Sequence, residues 1–231
     1  MSRLAIIPAR AGSKRIPEKN IRAFFGKPII AYSLEAARNS NLFVEIHVST
    51  DSERIREVAE SLGYPVAFTR PAELADDRAP LRDVLRDVRD RYAAMGRRFD
   101  CICRLSACAP LIEAADIVAA ERLFAAHGGR HAVTAVTRYP APIDRAFALD
   151  LSGRLTPLRD DRLFERSQDL AAGYYDSGTF ALLAPGHLDL EGPAFYQNRL
   201  GFVLTRDKGI DIDEPEDWAL AELVFAGRRS I

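Results

Sequence analysis

Strand and helix signals alternate through the first 138 residues of this chain, and that alternation narrows the folds open to it more than any other feature. Short apolar runs suited to buried strands stand at Leu4–Ile7, Glu45–Ser49, Pro65–Phe68, Cys101–Ser106 and His131–Thr137. Between them apolar residues recur at helical spacing: Ile30, Leu34 and Ala37; Ile55, Val58, Ala59 and Leu62; Leu81, Val84, Leu85, Val88 and Tyr92; Ile117, Ala120 and Phe124. Strands separated by helices reach one another by crossovers rather than hairpins. The expectation is therefore an α/β fold with a mostly parallel sheet and helices on both faces. Punctuation is also readable: Pro28 is suited to the first position of the first helix, Thr50 with Glu53 reads as a capping box, and Gly63 closes the second helix.

The rhythm changes at Tyr139. Residues 139–180 are irregular, rich in proline, and hairpin-like around Asp150–Gly153, which reads as an inserted antiparallel arm, a lid or an association surface. Tyr175–Leu183 and Leu200–Leu204 return as strands, and a last helix is striped by Trp218, Ala221 and Phe225. The layout expected is one domain over 1–231 with 139–180 as its arm.

A formal net charge of -1, with 28% charged and 48% hydrophobic residues, is that of an ordinary soluble protein. It argues against nucleic-acid or membrane partners. No segment approaches the ~20 apolar residues of a membrane helix and no signal-peptide core opens the sequence, so a cytoplasmic location is expected. Cys101, Cys103 and Cys108 lack the spacing of a zinc site and read as buried, reduced thiols. The four histidines are scattered, and neither HExxH nor GxSxG occurs.

Two stretches carry chemistry. After Leu4–Ile7 the apolar pattern stops, and Arg10, Lys14, Arg15 and Lys19 follow beside Gly12 and Ser13, with Pro17 stiffening the segment. A buried strand emptying into a small-residue, cation-rich loop is a phosphate cradle in an α/β protein; a solvated basic loop is the plainer alternative. It is neither a Walker loop nor a dinucleotide fingerprint. The second stretch, Gly209–Pro215, places Asp211 and Asp213 on one face if it is extended, with Ile210 and Ile212 facing the core. Such a pair suits Mg²⁺ and phosphate oxygens, although Asp213 is equally placed to cap the last helix. A cationic cradle and an acidic pair together point to a nucleoside triphosphate held between cations and magnesium.

These residues resemble a known family. Ala9–Arg15 with Pro17–Asn20, then Ser49–Asp51, Arg70–Leu74 and Ile210–Asp213, are similar in order and spacing to the cytidylyltransferases that activate nonulosonic acids, the sialic-acid-like sugars. Tyr139–Ala146, Arg166–Leu170 and Tyr175–Phe180 look most like the branch acting on pseudaminic acid. The N-acetylneuraminate and legionaminate enzymes come next, and the Kdo enzymes are more distant.

The resemblance implies a Rossmann-like fold of the nucleotide-diphospho-sugar transferase type, a CTP and nine-carbon keto sugar acid substrate pair, Mg²⁺ and a homodimer built through the arm. It implies Arg10, Lys19 and Asp213 as catalytic. It places Ala9, Arg10, Ala11, Gly12, Ser13, Lys14, Lys19, Asn20, Arg70 and Ser106 on the nucleotide, Gln168, Tyr175, Asp176 and Ser177 on the sugar, and Asp211 and Asp213 on the metal. Two departures stand out. Ala11 replaces a frequent glycine, so its backbone must avoid positive φ, and Arg104–Pro110 replaces the Gln-Pro-Thr-Ser-Pro style of many sialate enzymes. Transfer of another nucleotide, or a non-catalytic nucleotide- or sugar-binding protein on the same fold, are the rival readings.

Overall fold

Alternate residues of the first strand face opposite sides of the sheet, and both sides are covered. A computed structural model describes residues 1–76, 78–159 and 162–229; Asp77, the end of the acidic stretch after Arg70, lies outside them. In chain order the elements are β1 (Arg3–Pro8), β2 (Ala23–Phe24), β3 (Lys27–Pro28), α1 (Ile30–Asn39), β4 (Glu45–Ser49), α2 (Glu53–Ser61), α3 (Leu81–Ala94), β5 (Cys101–Leu105), α4 (Ala114–Ala126), β6 (Ala132–Arg138), β7 (Phe147–Leu149), β8 (Leu155–Pro157), β9 (Tyr174–Leu183), α5 (Pro193–Tyr196), β10 (Arg199–Leu204) and α6 (Pro215–Arg229). Ala5 and Ile7 of β1 join a core with Leu34 of α1, Ile55 of α2 and Ile117 and Phe124 of α4. Leu4 and Ile6 meet Leu85, Val88 and Tyr92 of α3 on the other face. Burial on both faces is why the run Leu4–Ile7 is continuously apolar rather than alternating.

The main sheet runs β10-β6-β9-β5-β1-β4. β1 pairs parallel with β4 and β5, and β6 with β10, while β9 is antiparallel to both β5 and β6. The α/β expectation holds with β9 as the exception, and the cause is the arm. The chain leaves the end of β6, makes its excursion and re-enters at the same end, where Thr137 faces Tyr175. A strand that returns where its neighbour left must run the other way. The β6–β9 ladder then loses register between Thr134 and Val136, giving a bulge that contains Gly178. Within the excursion β7 and β8 form a hairpin, from which Phe147, Leu149, Leu151 and Leu155 are exposed.

Four local expectations are corrected. Pro65–Phe68 is not a strand: β4 is the sheet edge, no ladder reaches the segment, and Phe68 instead packs against His47 and meets Tyr92 edge-on. Pro28 does not open α1 but pairs with Ala23 across the two-residue turn Phe25–Gly26, both at positive φ. The cap of α2 is Ser52, whose side chain accepts from the Ile55 N–H at 3.3 Å, while Thr50 is fully buried and accepts from the Ser52 N–H. Residues 209–213 join no ladder.

The three cysteines are free and buried, and burial pushes their thiols up, Cys101 and Cys108 to about 12. His47 is buried with Nδ1 3.3 Å from the Tyr92 hydroxyl, and burial, aided by the charges of Arg70 and Arg91, lowers its pKa from 6.5 to about 4. Between those values the unfolded chain binds the extra proton, so stability present above pH 6.5 is lost as pH falls toward 4. His47→Phe is expected to remove on the order of 2–3 kcal/mol of the stability difference between pH 7 and pH 4.5, measured by denaturant titration. An unchanged pH slope would acquit His47.

Candidate active site

The strands β1, β4 and β5 are parallel, and a cavity of about 590 Å³ opens beyond their carboxyl ends. Ala9 is held there by its N–H bond to the Ser49 carbonyl, and the basic loop begins at Arg10. Asn20 is buried and pins that loop: its Nδ2 donates to the Arg10 carbonyl at 2.9 Å, and its Oδ1 accepts from the Cys108 thiol. Arg70 is buried against Ser49, donating to its hydroxyl and carbonyl, and burial lowers its pKa. Ala11 stays out of the positive-φ region, as its side chain requires, and its N–H reaches Asp51 at 3.4 Å.

The basic loop and the late acidic stretch meet directly. Lys19 Nζ donates to the Ile212 carbonyl at 2.5 Å and to Asp213 Oδ1 at 2.9 Å. Arg15 reaches Asp213 Oδ2 at 3.0 Å and Glu214 at 2.6 Å. Ile212 faces inward, fully buried beside Phe24 and Trp218, so the carboxylates on either side of it turn to the cavity. Asp213 is thereby taken from the capping role open to it. Asp217 accepts from the N–H groups of residues 213 and 214 at the start of α6 instead.

The two carboxylates differ electrostatically. For Asp213, burial works against ionisation but is outweighed by the Lys19 hydrogen bond and the Lys19 and Arg15 charges, so its pKa falls. Asp211 is open to the cavity, yet surrounding protein raises its pKa, and the like charge of Asp213 raises it further. No hydrogen bond reaches the Asp211 carboxylate among the described residues. An acidic pair in mutual repulsion, one member without a donor, fits a hard divalent cation. Among the described residues no group of three or more His, Cys, Asp or Glu could hold a metal ion on its own.

Arg10, Gly12, Ser13, Lys14, Lys19, Asn20, Arg70, Ser106, Asp211 and Asp213 all line this one cavity; Ala9 and Ala11 shape the loop without lining it. A second cavity of about 600 Å³ adjoins it and shares Leu81 and Arg104. Of the four residues expected at the sugar, Asp176 lines this second cavity. Ser177 is fully buried, with its hydroxyl donating to the Ala135 carbonyl and paired with Thr179. Tyr175 stacks on Tyr139, and Gln168 is exposed in the arm; none of these three lines either cavity.

Two further residues belong to the site. Gly178 has φ +65°, and a Cβ there would lie 2.2 Å from Asp211 Oδ2. Arg104 donates to the Gly178 carbonyl at 2.6 Å. Arg104 is visible in the sequence as the one charge inside the apolar strand Cys101–Leu105, whereas nothing local marks Gly178.

Residues 4–189 match the cytidylyltransferase family model. The chain belongs to the cytidylyltransferase family. This cytidylyltransferase is 36% identical over 225 residues to the pseudaminic acid cytidylyltransferase of Campylobacter jejuni, covering 97% of each chain. It is 33% identical to the CMP-N,N'-diacetyllegionaminic acid synthase of Legionella pneumophila, over 95% of this chain and 94% of that one. Among solved structures it is similar to a CMP:2-keto-3-deoxy-manno-octonic acid synthetase complexed with CTP, with TM-score 0.72, 18% identity and full coverage of both chains. At that identity the likeness speaks to the fold, and it agrees with the α/β architecture.

Proposed function

We propose that this cytidylyltransferase joins CTP to a nonulosonic acid, pseudaminic acid foremost, and releases pyrophosphate. The observation that carries the reading is the meeting of Lys19 with Asp213 in a cavity also lined by Arg10, Lys14 and Arg70. Arg10, Lys14 and Lys19 bind the triphosphate and stabilise the charge that develops as pyrophosphate leaves. Gly12 and Ser13 let the backbone approach the phosphates, Asn20 holds the loop in place, and Arg70 and Ser106 complete the nucleotide side. Asp211 and Asp213 would hold Mg²⁺, which when bound neutralises the triphosphate and lowers the pKa of the attacking hydroxyl. The anomeric hydroxyl attacks the α-phosphorus, forming the new P–O bond as the bond to pyrophosphate breaks, and its proton passes to solvent.

The sugar occupies the second cavity, with Asp176 on a hydroxyl or acylamino group. Ser177 supports β9 from behind, and Tyr175 and Gln168 act from the rim and the arm. Residues 139–180 serve a homodimer: the apolar side chains exposed on the β7–β8 hairpin support an association surface, and 1–231 otherwise forms one domain. No helix among the described residues is long and apolar enough to cross a membrane, in keeping with a cytoplasmic enzyme.

The test offers CTP, UTP, GTP and ATP, each with pseudaminic, N-acetylneuraminic and legionaminic acids, and reads products by mass. CTP with pseudaminic acid is expected to exceed the other sugar acids by roughly tenfold or more in kcat/KM. CTP binding without product would favour a non-catalytic binding protein, and product from another nucleotide would move the enzyme elsewhere in its fold.

A further inference from the structure

Arg104 occupies a strand in which Cys101, Ile102, Cys103 and Leu105 are all fully buried. Packing gives no reason for a guanidinium there. Among the described residues its hydrogen bonding is confined to the Gly178 carbonyl, and it forms no ion pair. The other arginines of the second cavity are engaged. Arg82 bonds Asp83 and the Leu190 carbonyl, and Arg199 bonds the Phe195 carbonyl and the Thr134 hydroxyl while packing on the rings of Phe195 and Tyr196. Arg104 alone among them also lines the nucleotide cavity.

The chemistry of the acceptor says what belongs at that seam. In a cyclised 2-keto acid one carbon carries both the attacking hydroxyl and the carboxylate. When the hydroxyl oxygen approaches the α-phosphorus at about 3 Å, the carboxylate cannot be deep in either cavity. It must stand where they join. We infer that Arg104 binds the carboxylate of the sugar acid at this junction and sets the preference of the site for 2-keto acids. The bond to Gly178 fixes one edge of the guanidinium and leaves the rest of its planar fork for a charge-assisted pair. This assignment rests on the proposed function.

The experiment compares pseudaminic acid with its C1 carboxamide as acceptors for wild type, Arg104→Ala and Arg104→Gln, the second variant keeping a donor for the Gly178 carbonyl. Wild type is expected to prefer the acid by about 100-fold in kcat/KM, the range of a charged hydrogen-bonded pair. Either variant should lose roughly 30–100-fold on the acid, mainly through the KM for the sugar. The CTP KM should move less than about threefold, and the preference for acid over amide should nearly vanish. CTP binding by calorimetry reports that the variants are folded. A variant that keeps the full preference, or raises the CTP KM as much as the sugar KM, overturns the assignment. A wild-type enzyme that makes no CMP product from the acid overturns the proposed function itself.

Discussion

Lys19→Ala is expected to lower kcat by about 10²–10³-fold with the fold intact. The ammonium lines the first cavity and joins its two charged walls through the Ile212 carbonyl and Asp213 Oδ1. In the proposed reaction negative charge grows on the departing pyrophosphate, and a cation already held in place stabilises it without reorganisation. Among the described residues, removing Lys19 also leaves Asp213 with only Arg15 as a cationic partner, an exposed one, so repulsion between Asp213 and Asp211 is less well balanced. Stability should change by less than about 1 kcal/mol, because Asp213 is half open to solvent and such a pair is screened. Lys19→Arg should recover only part of the activity, since a planar fork does not reproduce a compact point charge between two acceptors. The readout is kcat at saturating CTP and sugar acid, with Tm measured alongside. A kcat near that of wild type would take Lys19 out of the mechanism.

What was legible in the sequence is what local pattern determines. Leu4–Ile7 announces a strand buried on both faces, and the spacing of Leu81, Val84, Leu85, Val88 and Tyr92 gives α3 its buried stripe. The end of the apolar pattern at Pro8 marks the loop that lines the cavity. Features that depend on a distant partner were not legible. Pro65–Phe68 has a strand's composition but no neighbouring strand to pair with. Asp213 is a sound cap by its local context, and only the arrival of Lys19 from nearly the whole chain away turns it into the cavity. The direction of β9 depends on which end of β6 the arm returns to. Arg104 is conspicuous as a charge among buried residues, but its meaning requires the two cavities it separates.

Gly178→Ala should disable the enzyme through a residue that makes no side-chain contact of its own. At φ +65° an alanine pays the steric cost of the left-handed region, about 1–2 kcal/mol. The added methyl would also lie 2.2, 2.5 and 2.8 Å from Oδ2, Cγ and Oδ1 of Asp211, so the carboxylate must move. It has little freedom to do so, because the next residue, Ile212, is buried in the core and its carbonyl is held by Lys19. The backbone of β9 is constrained in turn, with the Gly178 N–H on Asp176 and its carbonyl on Arg104. A total destabilisation of about 1–3 kcal/mol is expected, with kcat down by about 100-fold, the effect of misplacing an active-site group by about an ångström. If Asp211 holds Mg²⁺, the concentration needed for half-maximal rate should rise about 10–100-fold, which separates a metal effect from general loosening. Gly186→Ala is the control: nothing lies within 4 Å of its added Cβ, and its activity should be that of wild type. A Gly178→Ala enzyme with wild-type kcat and wild-type Mg²⁺ dependence would show that the close approach of β9 to Asp211 has no part in the chemistry.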